Sequence, residues 1–175
     1  MGLNYKLNRA AGILASLTGA ENHRLNRICS DIREAEARLT AHGAPLMKGC
    51  LERCQGLCCR NAAFDDIIGL ADFVCILHGA PHLEKPMRAC LVHEAPFFTT
   101  DCPFLLQGRG PCIFPDDLRP EVCITTFCVD TTGLNSEIRA VRRGFAAFNR
   151  FLMGHRLRTA ATRLLHVNAS VRFVI

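Results

Sequence analysis

Apolar residues recur at intervals of three and four along most of this chain, a period that predicts helices. Over 21–42, Leu25, Ile28, Ile32, Ala35 and Leu39 share one face while Arg24, Arg27, Arg33, Glu34 and Arg38 fill the others. Gly43 followed by Pro45 predicts the end of that helix. A second helix is predicted over 65–78, with Ile67, Ile68, Ala71, Val74, Cys75 and Leu77 as its apolar face, Asp65 as its N-cap, and Gly79 and Pro81 as its stop. A third starts from Ser136 as cap. Ile138, Val141, Phe145, Phe148 and Leu152 form its stripe, Gly154 interrupts it, 157–165 continues it, and 171–175 has the make-up of a terminal strand.

Between the helices the period changes. Cys90-Leu91-Val92-His93 alternates as a strand does, and 95–100 and 112–114 read as short strands either side of Gln107-Gly108-Arg109-Gly110-Pro111. The expected fold is mostly α with a short antiparallel β-hairpin, built as an irregular, metal-stabilised cysteine-cluster domain. N-terminal helices and the cluster occupy 1–134, with the cluster itself over 46–130, and a basic amphipathic helical segment over 135–175 packs on them.

Composition sharpens this picture in two places. Tryptophan is absent and tyrosine occurs once against 11 phenylalanines, so the core is expected to be phenylalanine-rich. The charge is uneven: 1–134 carries 13 of the 21 basic residues and 15 of the 16 acids, whereas 135–175 carries eight arginines against Glu137 alone. Arg139, Arg142, Arg143 and Arg150 are therefore candidates for an anionic partner, a protein or nucleic acid, although a solvated helix face explains the same pattern.

The third departure is cysteine, at 11 of 175 residues. Cys50, Cys54, Cys58 and Cys59 crowd into ten residues, and Cys102, Cys112, Cys123 and Cys128 follow in Cys-Pro, Cys-Ile-Phe and Arg-Pro-x-x-Cys contexts. Thiolates converge in short loops to hold zinc or iron-sulfur clusters. A helical turn over 46–54 that breaks at Gly56 would let Cys58 or Cys59 fold back toward Cys50 and Cys54. Cys29 and Cys75 lie on apolar faces and read as small buried hydrophobes. Cys90 and His93 are reserve ligands, while His78 and His82 suit surface or capping roles.

An odd cysteine count without a clean secretion signal favours an intracellular thiolate site over a disulfide scaffold, and hence a cytoplasmic location. The N-terminal stretch, with Lys6, Arg9 and no acid before Glu21, is expected to form an ordinary helix, and shares the composition of an organelle transit peptide. No apolar run is long enough to span a bilayer. Gly-x-Ser-x-Gly, phosphate-loop and His-Glu-x-x-His motifs are all absent, and no Cys-x-x-Cys opens a helix after a strand, so the sequence leans away from an enzyme.

The ordered set of eight cysteines resembles the CxxCxxCC zinc- or iron-chelating family, the YkgJ-like cysteine-cluster proteins. The resemblance covers 50–128 and implies that Cys50, Cys54, Cys58, Cys59, Cys102, Cys112, Cys123 and Cys128 form the metal-binding set, for Zn2+ or Fe, an iron-sulfur cluster included. The chain departs from the pattern with three residues between Cys54 and Cys58 where many members have two, and with Ile124 where an arginine is frequent. Three functions follow as expectations: a metal-binding protein without its own nucleophile, an iron-sulfur redox protein in a maturation or modification pathway, and a zinc-stapled module that binds nucleic acid or another anionic partner through its C-terminal arginines.

Overall fold

A computed structural model describes residues 2–53, 67–92, 102–106, 112–127 and 130–171, with backbone only over 47–53 and 163–171. Its helices are α1 (Leu3–Ala15), α2 (Gly19–Arg53), α3 (Leu70–Gly79), α4 (Glu84–Leu91), α5 (Glu121–Thr125) and α6 (Asn135–Val171), with single 3-10 turns at Pro81–Leu83, Asp116–Leu118 and Thr132–Leu134.

The two long helices form the spine. His42 meets Glu137, Gly144 meets Ile32, the Arg24 guanidinium lies 5.9 Å from the Phe151 ring centroid, and His155 meets Glu21. The residue numbers run in opposite directions, so α2 and α6 pack antiparallel. The predicted stripes supply the seam: Leu25, Ile32, Ala35 and Leu39 from α2 and Ile138, Val141, Phe145, Phe148 and Leu152 from α6 are all buried. Arg139, Arg142, Arg143 and Arg150 stay exposed on the opposite face of α6.

The shorter helices pack around this pair. The Lys6 ammonium on α1 donates to the Ile68 carbonyl at 2.8 Å, His78 on α3 meets Asn26 at 2.6 Å, and Arg88 on α4 donates to Asn8. Asp72, buried at the start of α3, accepts from the Gly69 N–H at 2.7 Å and the Glu121 N–H at 2.8 Å. One carboxylate thus caps α3 and anchors the first turn of α5. Phe73, Phe104 and Phe114 form a ring cluster, edge-to-face with centroids 6.1 Å apart for the first pair and tilted at 4.8 Å for the second. A phenylalanine core was expected and is present.

Several expectations are corrected. There is no β-hairpin and no strand among the described residues; 95–100 lies outside them, and 105 pairs with 112 in one isolated antiparallel bridge. Phe104, Leu105 and Phe114 are all buried against the helices, and the Leu105 N–H turns back to the Cys102 carbonyl at 3.2 Å. Burial of these rings draws the chain into a tight turn where alternation alone suggested an extended pair. Cys90 and Leu91 belong to α4 instead of a strand. The helix expected over 65–78 is interrupted at 68–69 and runs as Leu70–Gly79, and Asp65 lies outside the described residues. Ser136 sits in the first turn of α6 and bonds Glu137, without acting as its cap.

The α2 helix does not stop at Gly43 and Pro45 but runs on to Arg53. Gly43 is buried with Phe127 and Leu134 side chains 3.5 Å from the place of a Cβ, so its smallness serves packing and not a C-cap. Pro45 costs one backbone bond, which a helix of 35 residues survives. The α6 helix likewise passes through Gly154 and continues to Val171; the rest of the expected terminal strand, 172–175, lies outside the described residues.

The two glycines of α6 make opposite predictions. A Cβ at Gly144 would come within 2.7 Å of Ile32 Cγ1, at the point where the long helices approach, whereas nothing lies within 4 Å of one at Gly154. Gly144→Ala is expected to destabilise by about 1–2 kcal/mol through overpacking. Gly154→Ala should stabilise by about 0.5–1 kcal/mol through helix propensity. Urea unfolding of the two variants measures both signs, and equal signs would refute this account of the helix contact.

Candidate functional site

Cys102 and Cys112 flank the turn held by the phenylalanine cluster. Cys102 is buried, its carbonyl accepts from Leu105, and the Ile113 N–H donates to the Phe104 carbonyl at 3.0 Å. Cys112 is half-buried, and its sulfur accepts the Phe114 N–H, the kind of amide-to-sulfur bond that favours a thiolate. Burial nevertheless pushes the Cys112 thiol up, the Phe114 amide and the Arg119 guanidinium oppose that rise, and Asp116 adds to it. Arg119 pairs with Asp116 through one end of its guanidinium, while its buried Nε finds no acceptor among the described residues. Cys123 lies half-buried on α5, and neither Cys102 nor Cys123 is without a partner.

Cys90, a reserve candidate, projects from α4, with its thiol pushed up by burial and then by the nearby Cys112. Cys54, Cys58, Cys59 and Cys128 lie outside the described residues, as does His93, and Cys50 is described in its α2 backbone only. Among the described residues no three or more His, Cys, Asp or Glu side chains converge to hold a metal ion. The donor chemistry at Cys112 fits a soft cation, and completing a four-sulfur site requires the cysteines outside the described segments.

Cys29, Cys75 and His78 behave as the sequence pattern implies. Cys29 and Cys75 are buried in the core, and the Cys75 S–H donates to Cys29 Sγ at 3.8 Å. That bond pushes Cys75 up and draws Cys29 down, the latter helped by Arg33. His78 is a surface partner of Asn26, its pKa lowered by desolvation and by Arg33.

A second group was not foreseen. Thr18 and Glu21 form a capping box at the start of α2, the Thr18 N–H donating to Glu21 Oε2 at 3.0 Å and the Glu21 N–H to Thr18 Oγ1 at 3.3 Å. Glu21 Oε1 reaches His155 Nδ1 at 3.0 Å, and His155 Nε2 lies 3.2 Å from Ser16 Oγ. The Thr18 amide, then His155 and Arg158, hold the Glu21 carboxyl down at about 2 against the opposing effect of burial. Ser16 follows α1 and His155 lies 139 positions later, so only the folded chain juxtaposes them.

No family model, curated protein or solved structure matches this chain. No helix among the described residues is long and apolar enough to cross a membrane.

Proposed function

We propose that the protein binds Zn2+ or Fe through Cys50, Cys54, Cys58, Cys59, Cys102, Cys112, Cys123 and Cys128, as its resemblance to the cysteine-cluster family implies. The observation that carries this reading is the surroundings of Cys112: an amide hydrogen bond to sulfur, a guanidinium nearby, and a buried Arg119 Nε without an acceptor among the described residues. The Phe114 amide and the Arg119 charge both favour a sulfur that carries negative charge, and a bound cation would overcome the burial that otherwise keeps the thiol protonated. The free thiols of Cys29, Cys75, Cys90 and Cys112 suit a reducing compartment such as the cytoplasm.

The test is elemental analysis with an absorption spectrum on anaerobically purified protein. Zinc without visible absorption assigns a closed thiolate site, and iron with sulfide-to-iron bands assigns a redox cluster. Chelation should then lower the melting temperature, and Cys112→Ser should reduce bound metal. Protein that takes up neither metal from supplemented medium, and melts unchanged with chelator, refutes the reading.

A second reading rests on the exposed Arg139, Arg142, Arg143 and Arg150, whose density suits a phosphate backbone. Affinity for nucleic acid that falls steeply with salt and disappears when Arg142, Arg143 and Arg150 become Ala would support it; salt-insensitive or absent binding would remove it.

A further inference from the structure

One face of α1 and the middle of α6 border an open cavity of about 670 Å3 whose wall includes Tyr5, Asn8, Arg9, Ser16, His155 and Arg156. Into this wall the structure builds an ordered row: Ser16 Oγ, 3.2 Å to His155 Nε2; His155 Nδ1, 3.0 Å to Glu21 Oε1. Ser16 is exposed to the cavity side, whereas His155 is only 4% accessible. Glu21 is fixed independently at both oxygens, Oε2 by Thr18 and Oε1 by Arg158 as well as by His155. A carboxylate locked in this way sets the imidazole tautomer, with the proton on Nδ1 and the lone pair of Nε2 facing the hydroxyl.

The Ser16 hydroxyl has two acceptors in reach, the Ile13 carbonyl at 2.9 Å and His155 Nε2. Rotation about Cβ–Oγ carries the proton from one to the other without moving a heavy atom. The cavity also has a sign. Arg9 and Arg156 line it and neither is paired with a carboxylate among the described residues. Asn8 accepts from Arg88 through Oδ1, which leaves its N–H2 group as a further donor on the wall.

We propose that Ser16, His155 and Glu21 form an acyl-transfer site that hydrolyses carboxylic esters bearing an anionic group. Ser16 Oγ attacks the ester carbonyl as its proton passes to His155 Nε2; the carbonyl oxygen gains negative charge, which the cavity's donors stabilise. Collapse breaks the bond to the alkoxide, which takes that proton and leaves as an alcohol, and Ser16 holds the acyl group. Water then gives a proton to His155 and its hydroxide to the acyl carbon, releasing a carboxylic acid and restoring the Ser16 hydroxyl. Glu21 remains a carboxylate throughout, and Arg9 and Arg156 select the anionic ester. The site is remote in sequence from the cysteine cluster and does not depend on metal binding.

The experiment treats full-length protein with a fluorophosphonate, which forms a bond from Ser16 Oγ to phosphorus with loss of HF, and follows the adduct by intact mass and peptide mapping. It also compares p-nitrophenyl acetate with the mono-p-nitrophenyl ester of glutarate. The expected result is one adduct on Ser16, hydrolysis at least about 100-fold faster than by Ser16→Ala, and a preference for the glutarate ester that Arg9→Gln and Arg156→Gln abolish. Ser16 is exposed, so Ser16→Ala should keep the wild-type melting temperature. Failure of the probe to label Ser16, or equal rates for wild type and Ser16→Ala, overturns the proposal.

Discussion

Phe104→Ala is expected to destabilise the fold by about 3–5 kcal/mol, the largest loss foreseen for a single truncation in this chain. Phe104 is wholly buried between Phe73, its edge-to-face neighbour on α3, and Phe114, 4.8 Å away on the return segment. Among the described residues of this turn no regular strand pairing is present; one bridge and these rings hold it. Removing the middle ring leaves a cavity that two flanking rings on different segments cannot both fill. Phe104 also lies between Cys102 and Cys112 in the chain, so on the proposed metal-binding reading its loss should reduce bound metal, whereas Phe104→Leu should cost less than about 1.5 kcal/mol and leave metal binding unchanged. Urea unfolding with metal analysis after dialysis checks both effects. A Phe104→Ala protein of wild-type stability would mean that this turn is held by something other than its rings.

The amphipathic stripes were legible because burying one face of a helix leaves a period of 3.6 in the sequence, and of the residues read onto the seam of α2 and α6 all but the half-buried Ile28 are buried there. The helix ends were not. Gly43, Pro45 and Gly154 carry the chemistry of stops, yet tertiary contact overrides it: Gly43 is small because Phe127 and Leu134 press on it, and Gly154 is tolerated between Phe151, Leu152 and His155, which are buried. The hairpin failed for the same reason, since alternation over a few residues cannot distinguish a strand from a turn whose phenylalanines are drawn into a helical core.

Local patterns were legible where the structure describes them: the apolar surroundings of Cys29 and Cys75 marked them as core, whereas the ten-residue cysteine cluster lies largely outside the described residues. The Ser16, His155 and Glu21 row has no such signature, because its members stand on three segments separated by up to 139 positions. Thr18 and Glu21 did present a capping-box spacing, and Ser16 follows the α1 stripe. What brings His155 opposite both is the antiparallel register of α2 and α6, which their apolar stripes permit without specifying.

Glu36→Gln is expected to stabilise the protein at neutral pH by on the order of 2–3 kcal/mol, and by almost nothing near pH 4. Glu36 faces inward from α2 at 3% exposure, where desolvation first, then Asp72 and Asp117, push its carboxyl up to about 8 against the opposing pull of Arg33. In the unfolded chain the same group ionises near 4.5. Between those values the native state keeps a proton that the unfolded state has released, so the free energy of folding becomes less favourable as pH rises through this window. Below it both states are protonated and the group contributes no pH dependence. Glutamine reproduces the shape of the neutral acid and cannot ionise, so it relieves the penalty wherever the unfolded glutamate is charged. Thermal or denaturant unfolding of both proteins across pH 4 to 8 measures the effect: the gap between the curves must open with rising pH. A gap that stays constant would mean that Glu36 is ionised in the fold at neutral pH, and that Arg33 outweighs burial and its two acidic neighbours.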